Sequence, residues 1–209
     1  ANAIMMARGT PVFVDVEIFR QMHHIEEPGV FRFLLVSRLS REKNIRLALD
    51  AFADIHAQFP QTKLIIVGDG PERKKLELQT TNYKLQTSVV FTGWKEDVGR
   101  QYEYANCYLL TSNYEGYGRT VVEALAAGVP VVMTDVGVAG DVVQHEKTGL
   151  VVPVGSKTEL VKAMRRIVTD SYLRRMLSEN GRAAVESYPS KAAYLEDYKN
   201  RWHTCGKKS

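Results

Sequence analysis

The sequence predicts an α/β domain, a parallel sheet with helices on both faces followed by a helical C-terminal tail. Three observations carry that expectation. From residue 31 to about residue 153, short β-rich runs alternate with helical stretches. The runs are apolar throughout rather than every second residue, and Gly or Pro falls at the junctions. A strand covered on both faces has no solvent side, so it reads as a continuous apolar run, and strand–helix alternation makes neighbouring strands parallel. Ligands of such sheets sit at the carboxyl ends of the strands. Every motif singled out below falls there.

The elements follow in order. Phe31–Ser37 is a strand and Lys43 to about Phe59 a helix, ended by Pro60. Lys63–Val67 is the second strand, and Pro71 opens the next helix at its favoured first position. Val89–Thr92 is a strand, followed by a helix over about Asp97–Ala105. Cys107–Thr111 and Val131–Thr134 are strands, with a helix over Thr120–Ala127 between them that Gly128 stops. Gly149–Val152 is a last short strand. Ser156-Lys-Thr-Glu159 has the form of a capping box and starts a helix to about Val168. Tyr172 to about Ser187 and Ala192 to about His203 complete the helical tail. Ahead of the sheet, Val12–Asp15 reads as an isolated strand and His23–Gly29 as a polar linker. The division expected is 1–30 as linker strand and interdomain segment, 31–187 as the ligand-binding domain, and 188–209 as C-terminal helix and tail.

At 209 residues the chain can bury an ample core, and 44% apolar with 25% charged residues is ordinary for a globular protein. A net charge of +4 with no Lys/Arg stripe interleaved with aromatics argues against a nucleic-acid partner. Cys107 and Cys205 cannot make a disulfide framework, and Cys107 falls in an apolar strand, which favours a reducing compartment. No run reaches membrane-span length and residues 1–14 lack a signal-peptide layout. The expected location is the cytoplasm or the cytoplasmic face of a membrane. The chain begins at Ala1, so a cut piece of a longer protein is the expectation. The five histidines have no metal-ligand spacing and read as surface residues; no metal site is expected.

The most informative stretch is Glu115-Gly-Tyr-Gly-Arg-Thr-Val-Val-Glu123. Its glycines supply a turn, with Glu115 on the loop and Glu123 inside the helix. The helix start presents free N–H groups above the strand ends, an anion site flanked by two carboxylates. Amides bind phosphate and carboxylates accept sugar hydroxyls, so the set suits a nucleotide sugar. Arg38 and Lys43 follow the first strand, two cations suited to a diphosphate, although that segment alone reads first as a solvated loop. Gly68-Asp-Gly70-Pro71 reads first as a tight strand-to-helix turn and only second as a shortened phosphate turn. Gly93-Trp94-Lys95 offers either a platform for a flat base or a packing residue at Trp94.

Arg38…Lys43, Gly68–Pro71, Phe91-Thr-Gly93, Ser112–Gly118 running into Glu123-Ala-Leu-Ala-Ala-Gly-Val-Pro130, Thr134–Gly137 and Gly149–Pro153 resemble the nucleotide-sugar half of group 1, family-4 retaining glycosyltransferases. Val14-Asp15…Phe19 is similar to the strand that links the two halves of those enzymes. The resemblance implies a Rossmann-like domain, the C-terminal half of the two-domain GT-B fold. It implies that Arg38 and Lys43 hold the diphosphate and stabilise it as leaving group, with no metal and no cofactor. Glu115 would accept hydrogen bonds from the donor sugar, Tyr117, Gly118, Arg119 and Thr120 would face diphosphate and sugar through their backbone, and Glu123 would take the ribose. Gly68, Trp94 and Lys95 would lie along the nucleotide.

The implied donor is a UDP- or GDP-sugar. The acceptor, a glycan or a lipid-linked molecule, would bind an N-terminal domain outside this chain, which would also supply any peripheral membrane association. The donor-binding domain is expected to be inactive alone. Two departures stand out: Ser37 replaces a usual Gly, and Arg119 a usual aliphatic residue. Two other readings stay open. One is a different GT-B enzyme, such as a nucleotide-sugar epimerase or a phosphorylase; the other is a non-catalytic interaction module. Against the latter, all four charged positions of the motif are intact.

Overall fold

The computed structural model describes residues 6–7, 10–11 and 13–205, with side chains described for 13–200. Six parallel strands form one sheet: β1 (Phe31–Val36), β2 (Thr62–Val67), β3 (Val89–Gly93), β4 (Cys107–Leu110), β5 (Val131–Thr134) and β6 (Leu150–Val152). Their spatial order is β3-β2-β1-β4-β5-β6. The chain therefore works outward from β1 to one edge, returns, and works outward again from β4. In register, Phe33 pairs with Leu64 on one side and with Cys107 on the other. Met6–Ala7 and Thr10–Pro11 form a separate antiparallel pair.

The connections are helical up to β5: α2 (Ile45–Gln58), α3 (Arg73–Asn82), α4 (Gly99–Glu103) and α5 (Arg119–Ala126). A short α1 (Glu17–Arg20) precedes the sheet, and α6 (Lys157–Thr169), α7 (Ser171–Ala184) and α8 (Lys191–Cys205) follow it. Helix α2 is amphipathic: Ile45, Ala48, Leu49, Phe52 and Ile55 recur at three and four residues, and all are buried. The two sheet faces carry separate cores. Phe33, Leu35, Leu64 and Leu109 pack with α2, α3, α6 and α7; Leu34, Val67, Tyr108 and Leu110 pack with α1, α4 and α5.

The sequence-based elements differ from the structure in four places, each for a physical reason. Val12 lies outside the described residues, and Phe13–Asp15 form no strand. A strand needs a hydrogen-bonding partner; here Val14, Val16 and Phe19 bury against α5 instead, and the turn Glu17–Arg20 becomes helical. Pro71 does not open α3, because residues 70–72 are used in a turn: the Glu72 N–H donates to Leu39 O and the Arg73 N–H to Gly70 O. The helix start at 156 is only half of a capping box. Ser156 Oγ accepts from the Glu159 N–H at 3.4 Å, but the Glu159 carboxylate pairs with Lys162. His56 is not a surface residue. Its ring stacks on Phe52, and its two nitrogens contact Thr62 and Ser88.

One glycine governs how closely the sheet edge packs. Gly68 has φ +129°, and a Cβ there would come within 1.9 Å of the Ser37 carbonyl oxygen. Gly68→Ala therefore meets both strain and a backbone clash, and should lower unfolding free energy by more than about 2 kcal/mol. Urea denaturation of wild type and variant checks this; an unchanged midpoint would refute the close approach.

Candidate functional site

The site lies where the strand order reverses. Loops leaving β1 and β4 diverge there, opening a crevice at the carboxyl edge. From β1 the chain runs through Ser37–Asn44, anchored by Leu39, which is fully buried. The loop rests on the Gly68–Pro71 turn: the Leu39 N–H donates to Asp69 O, and Leu39 O accepts from Glu72. A Cβ on Gly70 would meet Leu39 O at 2.5 Å. This turn supports the basic loop, and the Gly68, Gly70 and Glu72 amides are used within the protein. Gly68 N–H donates to Gly93 O, and Gly70 N–H donates to Asp69 Oδ1. The tight-turn reading of the motif is the one the geometry follows.

Lys43 ends a 3₁₀ turn, Arg41–Lys43, which Asn44 closes in the left-handed conformation (φ 44°). The Lys43 ammonium reaches across the crevice to Glu115 Oε1 at 2.6 Å, with side chains 22% and 11% exposed. Ser112 Oγ donates to the same oxygen at 2.7 Å. The two loops are also joined along their length. Asn113 N–H donates to Glu42 O (2.7 Å), Thr111 Oγ1 to Lys43 O (3.2 Å) and Asn44 Nδ2 to Asn113 Oδ1 (3.0 Å). Arg38 stands exposed at the tip and makes no ion pair among the described residues.

Helix α5 starts behind Glu115. Gly118 is its N-cap, in a left-handed conformation (φ 98°) and without a side chain to satisfy the first-turn amides. The Val121 N–H is taken by Gly118 O, and the positive end of the helix dipole faces the crevice. Arg119 is exposed at the first helical position and Thr120 follows, half-buried. The loop after β5 braces this turn, since a Cβ on Gly137 would come 2.3 Å from the Tyr117 carbonyl oxygen. Tyr117 turns its hydroxyl to Tyr188, 2.9 Å away, so its ring leaves the crevice while its backbone stays.

Glu123 sits one turn further along α5 and is largely buried. Burial lifts its carboxyl above the ordinary 4.5; a hydrogen bond from Tyr102 and the charge of Arg119 oppose this. Trp94, 73% exposed at the end of β3, is not a packing residue, and Lys95 beside it is also exposed. Strand β3 is two strands from β1, roughly 10 Å at the usual spacing, about the reach from a diphosphate to a base. The structure thus gathers Lys43, Glu115, Gly118, Arg119 and Thr120 around one crevice, with Arg38 at its rim, Glu123 in its wall and Trp94 at its far end.

Sequence reasoning passed over Ser112, Thr111, Asn113, Tyr102 and Tyr108. A signal existed for Tyr108: a hydroxyl inside the run Cys107–Leu110, buried on both faces, must find a partner there. Among the described residues no group of three or more His, Cys, Asp or Glu is arranged to hold a metal ion. None of their helices is long and apolar enough to cross a membrane.

Fold and site together define a doubly wound α/β domain with a charged crevice at its topological switch point. The family model of group 1 glycosyl transferases matches residues 17–184, and the chain belongs to that family. N-acetyl-α-D-glucosaminyl L-malate synthase of Bacillus anthracis is 31% identical over 150 residues, 72% of this chain and 39% of the relative. An α-monoglucosyldiacylglycerol synthase of Acholeplasma laidlawii is 30% identical over 160 residues, 76% of this chain and 40% of the relative. The chain thus spans less than half the length of these curated relatives.

Among solved structures, sucrose-phosphate synthase from Thermosynechococcus elongatus superposes with TM-score 0.81 at 28% identity, over 95% of this chain and 52% of that one. The C-terminal domain of a group 1 family glycosyl transferase from Francisella tularensis gives TM-score 0.75 at 20% identity, over 85% of this chain and 99% of that one. The fold is the Rossmann-like C-terminal half of the GT-B architecture.

The raised Glu123 carboxyl has a consequence for stability. Its folded pKa exceeds its unfolded value, so the folded state binds the proton more tightly and this residue's contribution falls as pH rises through that window. Glu123→Gln removes the effect. The melting temperature of the variant minus that of wild type should increase from pH 4 towards pH 7, measured by circular dichroism; a difference flat with pH would refute the burial effect.

Proposed function

We propose that this chain is the donor-binding half of a glycosyltransferase that moves a hexose from a nucleotide diphosphate sugar to an acceptor, with retention and without a metal ion. The observation that carries the reading is the crevice itself: Lys43 meets Glu115 at 2.6 Å across the switch point, beside the uncapped start of α5. As the glycosidic bond breaks, negative charge grows on the diphosphate. Lys43, held against Glu115, and the start of α5 are preorganised to receive it, which is where such groups are worth most, and the exposed Arg38 at the rim would close on it. The two cations would supply the charge that a metal ion supplies in other transferases.

In the free protein Lys43 and Glu115 satisfy one another. A donor bound in the crevice would give Glu115 sugar hydroxyls to accept from and Lys43 a diphosphate to face. Glu123 would take the ribose hydroxyls, and the base would lie against backbone near Trp94. Glu115 is the carboxylate that this reading puts at the sugar, and the reading has the acceptor attack on the face from which the diphosphate leaves. The acceptor side of the cleft belongs in this reading to a second domain, and transfer by this chain alone is not expected. One relative is named for a glucosaminyl malate and another for a glucosyl diacylglycerol, so relatives at this distance do not share an acceptor class.

Titration calorimetry with UDP, GDP and ADP tests the donor site. One nucleotide should bind, and Arg38→Ala and Glu123→Ala should each weaken it about tenfold or more, the cost of losing a hydrogen bond to a charged group. If no nucleotide binds this chain or a longer one carrying it, the donor-site reading fails. Sugar transfer by this chain alone, at a rate comparable to a two-domain enzyme, would overturn the need for a second domain.

A further inference from the structure

Two tyrosines lie directly beneath the proposed donor site, Tyr102 of α4 and Tyr108 of β4. They are 1% and 0% exposed, and their rings stack with centroids 6.0 Å apart. Phenylalanine would fill either space, since each ring packs in the apolar core between the sheet and α5. What tyrosine adds is a hydroxyl whose burial costs free energy unless it is bonded. Both hydroxyls are bonded to groups of the site. Tyr108 donates to Thr120 Oγ1 at 2.6 Å and lies 3.3 Å from Val36 O. Val36 is the last residue of β1 and Thr120 the second of α5, so this one ring spans the crevice from below. Tyr102 donates to Glu123 Oε2 at 3.1 Å and lies 3.3 Å from Thr120 O. Burial raises both phenols above their usual range, so each stays a neutral donor at physiological pH.

We propose, building on the donor-site reading above, that Tyr102 and Tyr108 are positioning residues that divide the donor between them. Tyr102 fixes the Glu123 carboxylate that takes the ribose, and Tyr108 fixes the first turn of α5 that faces the diphosphate. Neither touches the ligand; each acts through one named neighbour. Glu123 Oε2 is turned inward to Tyr102, which presents Oε1 to a ribose. Between the end of β1 and the start of α5 the core is apolar, and the Tyr108 hydroxyl is a polar group set there.

Double-mutant cycles on UDP and GDP binding test the proposal. Tyr102→Phe and Tyr108→Phe are made in wild type, in Glu123→Ala and in Thr120→Val, with affinities read by ligand-observed NMR, which reaches millimolar Kd. Each single change should weaken the bound nucleotide about five- to tenfold, the worth of one buried hydrogen bond. Tyr102→Phe should then cost nothing further after Glu123→Ala but keep its full cost after Thr120→Val; Tyr108→Phe should show the reverse. Melting temperatures measured alongside confirm that the ring-preserving variants are folded. A tyrosine that merely stabilises the core would lose the same factor in every background, and that result, or no loss at all, overturns the proposal. Failure of the wild-type chain to bind either nucleotide overturns the donor-site reading and this proposal with it. Binding by wild type with additive losses overturns this proposal alone.

Discussion

The contact between Lys43 and Glu115 depends on a single topological fact, the reversal of strand order between β1 and β4. Every other neighbouring pair of strands is consecutive in the chain and joined by a single connection. Here the connections leave in opposite directions, and the gap would expose the ends of two strands and the start of a helix. A cation from one loop and a carboxylate from the other close it at 2.6 Å. An ion pair in a half-buried crevice gains little by itself, because removing two charges from water offsets most of their attraction. In the proposed reading a ligand that parts the pair meets a positive group and an acceptor at a set separation, with a helix dipole behind them.

Holding those charges in place falls to the layer beneath. Among the buried polar residues, Thr111, Ser112 and Thr134 all lie at the carboxyl edge, and their hydroxyls bond across it: Thr111 to Lys43 O, Ser112 to Glu115, Thr134 to Ser112 O. No buried side-chain nitrogen or oxygen among the described residues lacks a partner. Polar groups in a core are costly unless fully bonded, and when fully bonded they allow one arrangement rather than several. The glycines at 70 and 137 work by omission, letting one backbone lie against another where any Cβ would collide. The charged loops are thus rigid because of contacts below them.

Much of this was legible in the chain. Apolar runs at 31, 63, 107 and 131 gave strand positions within a residue or two, since a strand buried on both faces tolerates no polar side. Arg38, Lys43 and Glu115 stood out as charges in loops that follow apolar strands, and Glu123 through its spacing from Glu115 and the family resemblance. Elements held by tertiary contact were misread. Phe13–Asp15 has strand composition, yet no strand among the described residues pairs with it, and Val14 and Val16 turn to α5 instead. His56 was read as exposed because nothing local reveals that Ser88, thirty-two residues away, comes within 2.9 Å of its ring.

Composition and local pattern alone determined the α/β class, the carboxyl-edge position of the motifs and the identity of the charged groups. These depend on hydrophobic periodicity and turn chemistry, which act over a few residues. Only the tertiary structure decided that Lys43 faces Glu115, that the Gly68–Pro71 turn supports the loop after β1, and that Tyr102 and Tyr108 reach the first turns of α5. Those are relations between segments as many as seventy-two residues apart. Which strand lies beside which is settled by how whole sheet faces bury against their helices, and no stretch of sequence carries that information by itself.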